Sequence, residues 1–532
     1  MGQQVGGLAL TALCAAAWGQ PGQQALSVEE VVARFTAAES ALVREMGKYR
    51  PVVETYVQFL REGPDGREQV SGDAHFIGNL ELRRGVNFEA FVPEKASGTA
   101  AAELLRRFSR LHLLPRGFAQ MAIIDGQYFD RDHYEFEYVR SEFLGEVRCL
   151  VFDVKPQEGE PEGRFVGRVW VEDRDFHVVR FSGTYTANKK LRYFHFNSYR
   201  QQVGAGEWLP SMIFVQESLS KQGGRTRTGL KGHVRLWGYA ATAARKTSTY
   251  TAIVIEAPQP AQDRSETEPS RTQALREWRR EAAENALARL EKAGLLGREG
   301  EVEKILDTVV NNLLVTNQST VEPPVNCRVL LTTPLESFVV GHTIVLSRGL
   351  IDVLPNEASL AAAVARELAS ILLDQRMETA SAFSDAMMFS DSEIFRQFSY
   401  RRTGAEEAQA NQKALELLRN SPYKDQLATA GMFLAALGER APTLPNLTRA
   451  QIGNPVAENG QVLLVPLLLV AALKSNPAAA QPPALPLASR IRLDPWDNRT
   501  ELVRAQAAAP LSPSEQLWFE VTPLLPALKR VR

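Results

Sequence analysis

Cysteine is almost missing from this sequence. Among 532 residues there are three, Cys14, Cys149 and Cys327. They are far apart, which excludes a disulfide framework and any C-x-x-C metal site. Histidine is also scarce, at seven residues, and this limits a catalytic metal centre built on imidazole. No apolar run approaches the ~20 residues that a membrane-spanning helix needs. Residues 8–18 and 462–473 are too short, and the second contains Pro466. Neither sign of charge prevails. The net charge is −1, so no whole-chain field attracts nucleic acid or an anionic membrane. No G-x-S-x-G, P-loop or dinucleotide fingerprint occurs.

What remains is an ordinary globular composition, 44% hydrophobic and 23% charged, in a chain long enough for several cores. Residues 8–18, LALTALCAAAW, read as the apolar part of a secretory signal peptide ending near residue 25. No Lys or Arg precedes Arg34. The expectation is an exported, periplasmic protein.

Residues 26–48 follow a helical period through Val31, Val32, Phe35, Ala38 and Leu42. Strand patterns then dominate to about residue 255. VVETYVQFLRE (52–62) and GDAHFIGNLEL (72–82) flank Pro64-Asp65-Gly66, a hairpin signal. A helical piece at 100–113 follows, then strand patterns at 147–155, 163–173, 176–185, 191–199, 207–218 and 229–239. The pattern predicts a meandering antiparallel sheet with one aromatic and aliphatic face. Its other face carries Arg, Lys, Glu and His. The pair Gly223-Gly224 marks a hairpin tip.

The phrase GRVWVEDRDFHVVRFSGTY, with the strand rhythm of about 120–240, resembles the outer-membrane lipoprotein carrier superfamily (LolA/LolB-like). That resemblance implies a half-barrel whose apolar concave face could take an acyl chain. The alternative is a sheet whose apolar face simply packs against the helices at 27–48 and 100–113.

Residues 256–272 are rich in Pro and charge and read as a linker. A charged helix over 273–293 places Trp278, Ala282, Ala286 and Leu290 on one side. Together, 256–300 separates a β domain (26–255) from a helical domain (301–440). The extension 441–532 has no assigned role. The fold class expected is α+β.

The second domain centres on PNEASLAAAVARELASILLDQR (355–376). Leu360, Val364, Leu368, Ile371 and Leu372 recur at the helical period, and Asn356 suits an N-cap. Its middle reads Arg366-Glu367-Leu368-Ala369-Ser370. H-E-x-x-H would set two zinc-binding imidazoles on one helix face with Glu as general base. Here Arg366 and Ser370 stand at the histidine places. Arginine repels a metal, and serine is a poor zinc ligand.

The order of features from 301 to 435 resembles the HtpX/CAAX-prenyl-protease-type zinc metallopeptidase family. The matching stretches are Gly341 to Ile351, Asn356 to Ser370, and Glu407-Ala408-Gln409-Ala410-Asn411 followed by Ala414 to Leu418. His342 stands where the family phrase has its first Gly. The resemblance implies that Glu367 is the relic of a general base. It makes Glu407 the third-ligand carboxylate and Asn411 the replacement of an outer Asp. Only His342 of the seven histidines lies in this stretch, in a predicted strand, so zinc cannot be held and no cofactor is expected. Glu407 would then face an unneutralised pocket, and an Arg366–Glu407 ion pair shared with Glu367 is predicted in place of the metal.

The sequence therefore reads as an exported pseudopeptidase that binds an envelope protein or lipidated client. The alternatives are an active zinc metalloendopeptidase of the same family and a periplasmic lipid or lipoprotein carrier acting through the β domain. No nucleic-acid partner and no transmembrane span are expected.

Overall fold

The computed structural model describes residues 26–502 apart from 63–67, 82–86, 92–115, 187–194, 248–270, 376–399, 459–460, 463–490 and positions 205, 218–219, 223–224, 228 and 355. The signal-peptide stretch, the helical piece at 100–113, the linker core and most of 462–473 lie outside the described residues. So does the Trp278 side chain.

The chain opens on helix α1 (Val28–Met46). Ser27 accepts the Glu30 N–H, and the Glu30 side chain returns to the Ser27 N–H, closing a capping box. Strands β1 (Val52–Glu62), β2 (Glu68–Glu81) and β3 (Asn87–Ala90) come next. After the short helix α2 (Arg116–Gln120) come β4 (Tyr134–Leu144), β5 (Val147–Pro156), β6 (Phe165–Glu172), β7 (Val178–Tyr185), β8 (Phe196–Gln202) and β9 (Trp208–Glu217). A small ribbon, β10 (Ser220–Gln222) and β11 (Arg225–Arg227), flanks Gly223-Gly224 and leads to β12 (Gly229–Trp237). Ten of these strands form one curved antiparallel sheet, in the order β3-β2-β1-β12-β9-β8-β7-β6-β5-β4. The expected fold class, α+β with this sheet first and helices after it, is what the structure has.

The inner face of the sheet is aromatic. Phe165, Phe181, Phe196 and Tyr185 pack edge to face, tilted or stacked, with centroids 5.4–6.2 Å apart. Phe35 of α1 enters the same face against Phe129, Phe136 and Phe152. One buried ion pair fixes α1 there. Arg200 Nη1 and Nη2 each lie 2.6 Å from a Glu39 carboxylate oxygen.

The outer face differs from the sequence expectation. The alternating pattern puts its polar residues in solvent, yet β1 is buried on both faces from Val52 to Leu60. The helical body covers the outer side of β1, β2 and β12. Val52, Tyr56, Leu60, Val70, Ile77 and Trp237 belong to the same hydrophobic core as that body. Residues on both sides of the 256–300 boundary therefore share this core.

Helix α3 (Tyr239–Thr247) closes the sheet domain, with Tyr239 in its inner core, and the body begins with α4 (Arg271–Lys292) and α5 (Glu301–Thr316). On α4, Ala282, Ala286 and Leu290 are buried as the pattern predicts. Strands β13 (Asn326–Leu330), β14 (Glu336–Val340), β15 (Thr343–Ser347) and β16 (Asn454–Pro455) form a second sheet, ordered β13-β15-β14-β16. Helices α6 (Arg348–Val353), α7 (Glu357–Leu372), α8 (Gly404–Arg419), α9 (Leu427–Arg440) and α10 (Pro445–Thr448) complete it.

The extension beyond 440 is structural in its described part. Gly453 passes so close to β14 that a Cβ there would lie 2.5 Å from Phe338. A late hairpin pairs Ile491–Leu493 with Thr500–Leu502. Its tip reaches the first domain, where Pro495 and Trp496 carbonyls accept from Gly238 and Ala240 (2.9 Å each). Its base holds the second, where the Ile491 N–H donates to Asp352 (3.1 Å) and Thr500 Oγ1 to Glu303 (3.3 Å). No helix among the described residues is long and apolar enough to cross a membrane.

Candidate functional site

Helix α7 forms where the pattern places it, and Asn356 Oδ1 accepts the Ser359 N–H at 2.9 Å as its N-cap. It is enclosed more fully than one apolar face implies. The alanines at 361, 362, 363, 365 and 369 are buried along with Val364 and Leu368. Arg366 (2% exposed), Glu367 and Ser370 are buried too.

Helix α8 packs against α7 and brings Glu407 to Arg366. Arg366 Nε lies 3.3 Å from Glu407 Oε1 and 3.5 Å from Glu367 Oε1. The predicted pair, shared with Glu367, is present. It acts by charge, since neither Arg366 Nε nor Glu407 Oε1 makes a hydrogen bond. The remaining guanidinium nitrogens of Arg366 donate to the Pro455 carbonyl of β16 (3.2 and 3.1 Å).

Arg402, which no sequence motif singles out, holds the centre. Its Nη1 and Nη2 donate to the two oxygens of Glu367 (2.9 and 3.0 Å), and Nε donates to Glu407 Oε2 (2.8 Å). Nη1 also reaches the Ser370 hydroxyl. Ser337 Oγ of β14 donates to Glu367 Oε1 at 2.7 Å. The chain on either side of its peptide fixes Arg402 in place. Thr403 caps α8 in a capping box with Glu406, and the Arg402 N–H donates to Asn454 (2.9 Å).

Two cations thus face two carboxylates in a buried site. Burial alone would raise Glu367, but Arg402 and then Arg366, with the hydrogen bonds, bring it below the usual carboxylate range. Burial lowers Arg366 and outweighs the field of Glu407. Arg402 goes the other way. Burial opposes its charge, and the two carboxylates overcome this and raise it. A general base at Glu367 would need a free lone pair toward water, and both its oxygens are engaged.

These residues do not fit zinc. A cation at the ligand place and a second across the carboxylates leave no set of three donors. No group of three potential ligands occurs among the described residues. His342 sits in the turn between β14 and β15 rather than in a strand, after Gly341 at φ 60°, and bonds the Pro323 carbonyl (2.8 Å). Asn411 is buried one turn beyond Glu407.

A second polar cluster lies in the seam between sheet and body. Glu54 Oε1 lies 2.7 Å from His75 Nε2, and it accepts the Thr333 N–H at 2.6 Å. Thr333 Oγ1 donates to Glu54 Oε2 (2.9 Å) and lies 3.5 Å from His233 Nε2. Gln451 Nε2 meets the other nitrogen of His75 at 2.7 Å. Asp73 accepts from Tyr56, Asn446 and Leu447 (2.8–2.9 Å). As polar positions on alternating strands, these residues give no sign in the sequence of facing a second domain.

No family model matches the sequence, and no curated protein matches it. Weak structural likenesses fall on the N-terminal part. They include a domain from Vibrio parahaemolyticus assigned to outer membrane lipoprotein sorting. It is 12% identical, with a TM-score of 0.19 over 38% of this chain and 90% of that one. A DUF1329 family protein from Desulfovibrio piger is 13% identical, with a TM-score of 0.16 over 38% and 92%. A LolA superfamily protein from Nitrosomonas europaea is 12% identical, with a TM-score of 0.16 over 37% and 92%. None of the comparisons supports the metallopeptidase resemblance.

Proposed function

We propose that the protein is an exported binding protein of the cell envelope, not a hydrolase. Its sheet domain takes an acyl chain or lipidated client as a carrier would. Its helical body is a metallopeptidase-like core whose metal place is filled by ion pairs, with Glu367 as the relic of a general base. The observation that carries the reading is the inner face of the sheet. A set of aromatic rings is covered by α1, which enters it with Phe35, and by the 116–129 segment, which adds Phe118, Met121 and Phe129. Such a face suits an apolar chain, because it offers ring surface of the kind that Phe35 now covers. The buried pair Arg402–Glu367 opposes the hydrolase alternative, since it occupies the carboxylate that would activate water.

The test is binding. Protein purified from its host is extracted with organic solvent and analysed for acyl species by mass spectrometry. Delipidated protein is then titrated with a fluorescent fatty acid. Co-purifying acyl chains or saturable binding, competed by unlabelled fatty acid, supports the carrier reading. Neither acyl species nor saturable binding overturns it. One zinc per chain with chelator-sensitive proteolysis would favour the peptidase instead.

A further inference from the structure

The outer strand of the large sheet, β4, has one neighbour among the described residues, β5, and an open opposite edge. Open edges pair with other strands unless something prevents it. The two halves of β4 differ in this respect. The first half carries Glu135 and Glu137 and ends in a bulge, where the register with β5 shifts between Tyr138 and Arg140. Charges and bulges protect edges. The second half, Arg140–Leu144, pairs regularly with Val151–Val147. It has no bulge and carries Phe143, 68% exposed. Tyr138 (44%) and Val139 (37%) adjoin it.

The second half is also self-complementary. We propose that two copies of this chain pair antiparallel through β4, about a two-fold axis at Ser141. In that register Arg140 of each copy faces Glu142 of the other, within the bulge-free half of the strand. The faces agree. Glu142 lies opposite Cys149 and contacts Trp170 on the outer side, while Ser141 lies opposite Leu150, which packs against the inner core. Arg140 and Glu142 already pair within one strand, Nε to Oε2 at 2.7 Å, so the dimer gathers four alternating charges on one face. Registers two residues away set Glu142, or Arg140, against its own copy. Of these registers, only the proposed one sets unlike charges opposite each other. The interface is isologous, closes at two copies, and joins two ten-stranded sheets into one.

The test uses the full chain in a Cys14→Ser background, which leaves buried Cys149 and Cys327 as the native thiols. Ser141→Cys should form a disulfide-linked dimer under mild oxidation, because directly opposed antiparallel residues lie about 4.5–5.5 Å apart at Cα, within disulfide reach. Glu137→Cys should not. Adding Arg140→Glu, or Glu142→Arg, should each lower the yield about tenfold, since two attractive cross-strand pairs become repulsive. Mixing those two variants should restore it, because each supplies the charge the other lacks. Circular dichroism confirms that both remain folded. Equal crosslinking at 137 and 141, or no recovery in the mixture, overturns the proposal.

Discussion

Arg402 and Glu367 face each other through two parallel hydrogen bonds, Nη1 to Oε2 at 2.9 Å and Nη2 to Oε1 at 3.0 Å. This fork, from the chain just before α8 to the middle of α7, neutralises a buried carboxylate. Arg366 then balances Glu407, so the site closes with no charge left over.

Breaking that balance should be costly. Arg366→Ala leaves buried Glu367 and half-buried Glu407 against one guanidinium and removes the donors to Pro455. Equilibrium urea unfolding should show a loss of about 3–5 kcal/mol, the range for orphaning a buried ion. Arg366→Ala with Glu407→Gln should recover part of it. A loss below about 1 kcal/mol would mean that water screens the site.

Histidines alone should not restore a metal centre. The wild-type chain should carry no stoichiometric zinc by elemental analysis. Arg366→His with Ser370→His should still fail in a chelator-competition titration, because Arg402 keeps its charge against both positions. Adding Arg402→Ala should permit zinc binding by two imidazoles and Glu407. Binding by the double variant would show that Arg402 is not the obstacle.

Acid should weaken the seam. Burial lowers His233 from 6.5 to about 3, with Arg235 and Arg348 adding to the shift and Glu54 opposing it. A folded-state value below the unfolded one makes its contribution complete above pH 6.5 and lost as pH falls toward 3. Burial would raise Glu54, but the hydrogen bond and charge of His75, then Arg235 and the Thr333 N–H, bring it from 4.5 to about 2. Its contribution is lost between those values, in the same direction. Thermal unfolding temperature should fall below pH 6.5 and more steeply below 4.5. His233→Gln should flatten the upper part of that curve, and an unchanged curve would place His233 outside the transition.

The Pro-rich linker suggests a β domain that folds alone, but the shared core predicts otherwise. Residues 26–255 expressed separately would expose the faces of Val52, Tyr56 and Trp237, and Glu54 and Asp73 would lose their partners in the helical body. They should be insoluble or self-associated, and co-expression with 256–532 should rescue them. A soluble, monomeric, cooperatively unfolding fragment would show that the seam is secondary.

Arg366, Glu367 and Ser370 are singled out by the spacing of H-E-x-x-H, Glu407 only by the metallopeptidase resemblance, and the ion pair is expected from their charges. Arg402 is not singled out, since it lies in irregular chain just before the Thr403 cap, where no period says which way a side chain turns. Strand β4 is hidden for a related reason. Its alternation of Tyr134, Phe136 and Tyr138 is broken by the bulge before Arg140, so a period-two reading fails midway. On β1 and β2, polar residues at alternate positions signal solvent, but they meet the polar groups of a second domain. Burial by another part of the chain leaves no periodic mark.

The late hairpin sets an order on how the molecule is made. Pro495 and Trp496 bond the strand-to-helix corner at Gly238 to Ala240, and the Trp496 ring packs against Tyr49. The same hairpin supplies Ile491 to Asp352 and Thr500 to Glu303. A ribosome has made the sheet and the helical body before these residues emerge, so the early sheet must wait with one edge of its contacts unmade. Any nascent fragment ending before Trp496 is an unfinished protein in both halves at once, and a chaperone in the cell has that long interval in which to act on it.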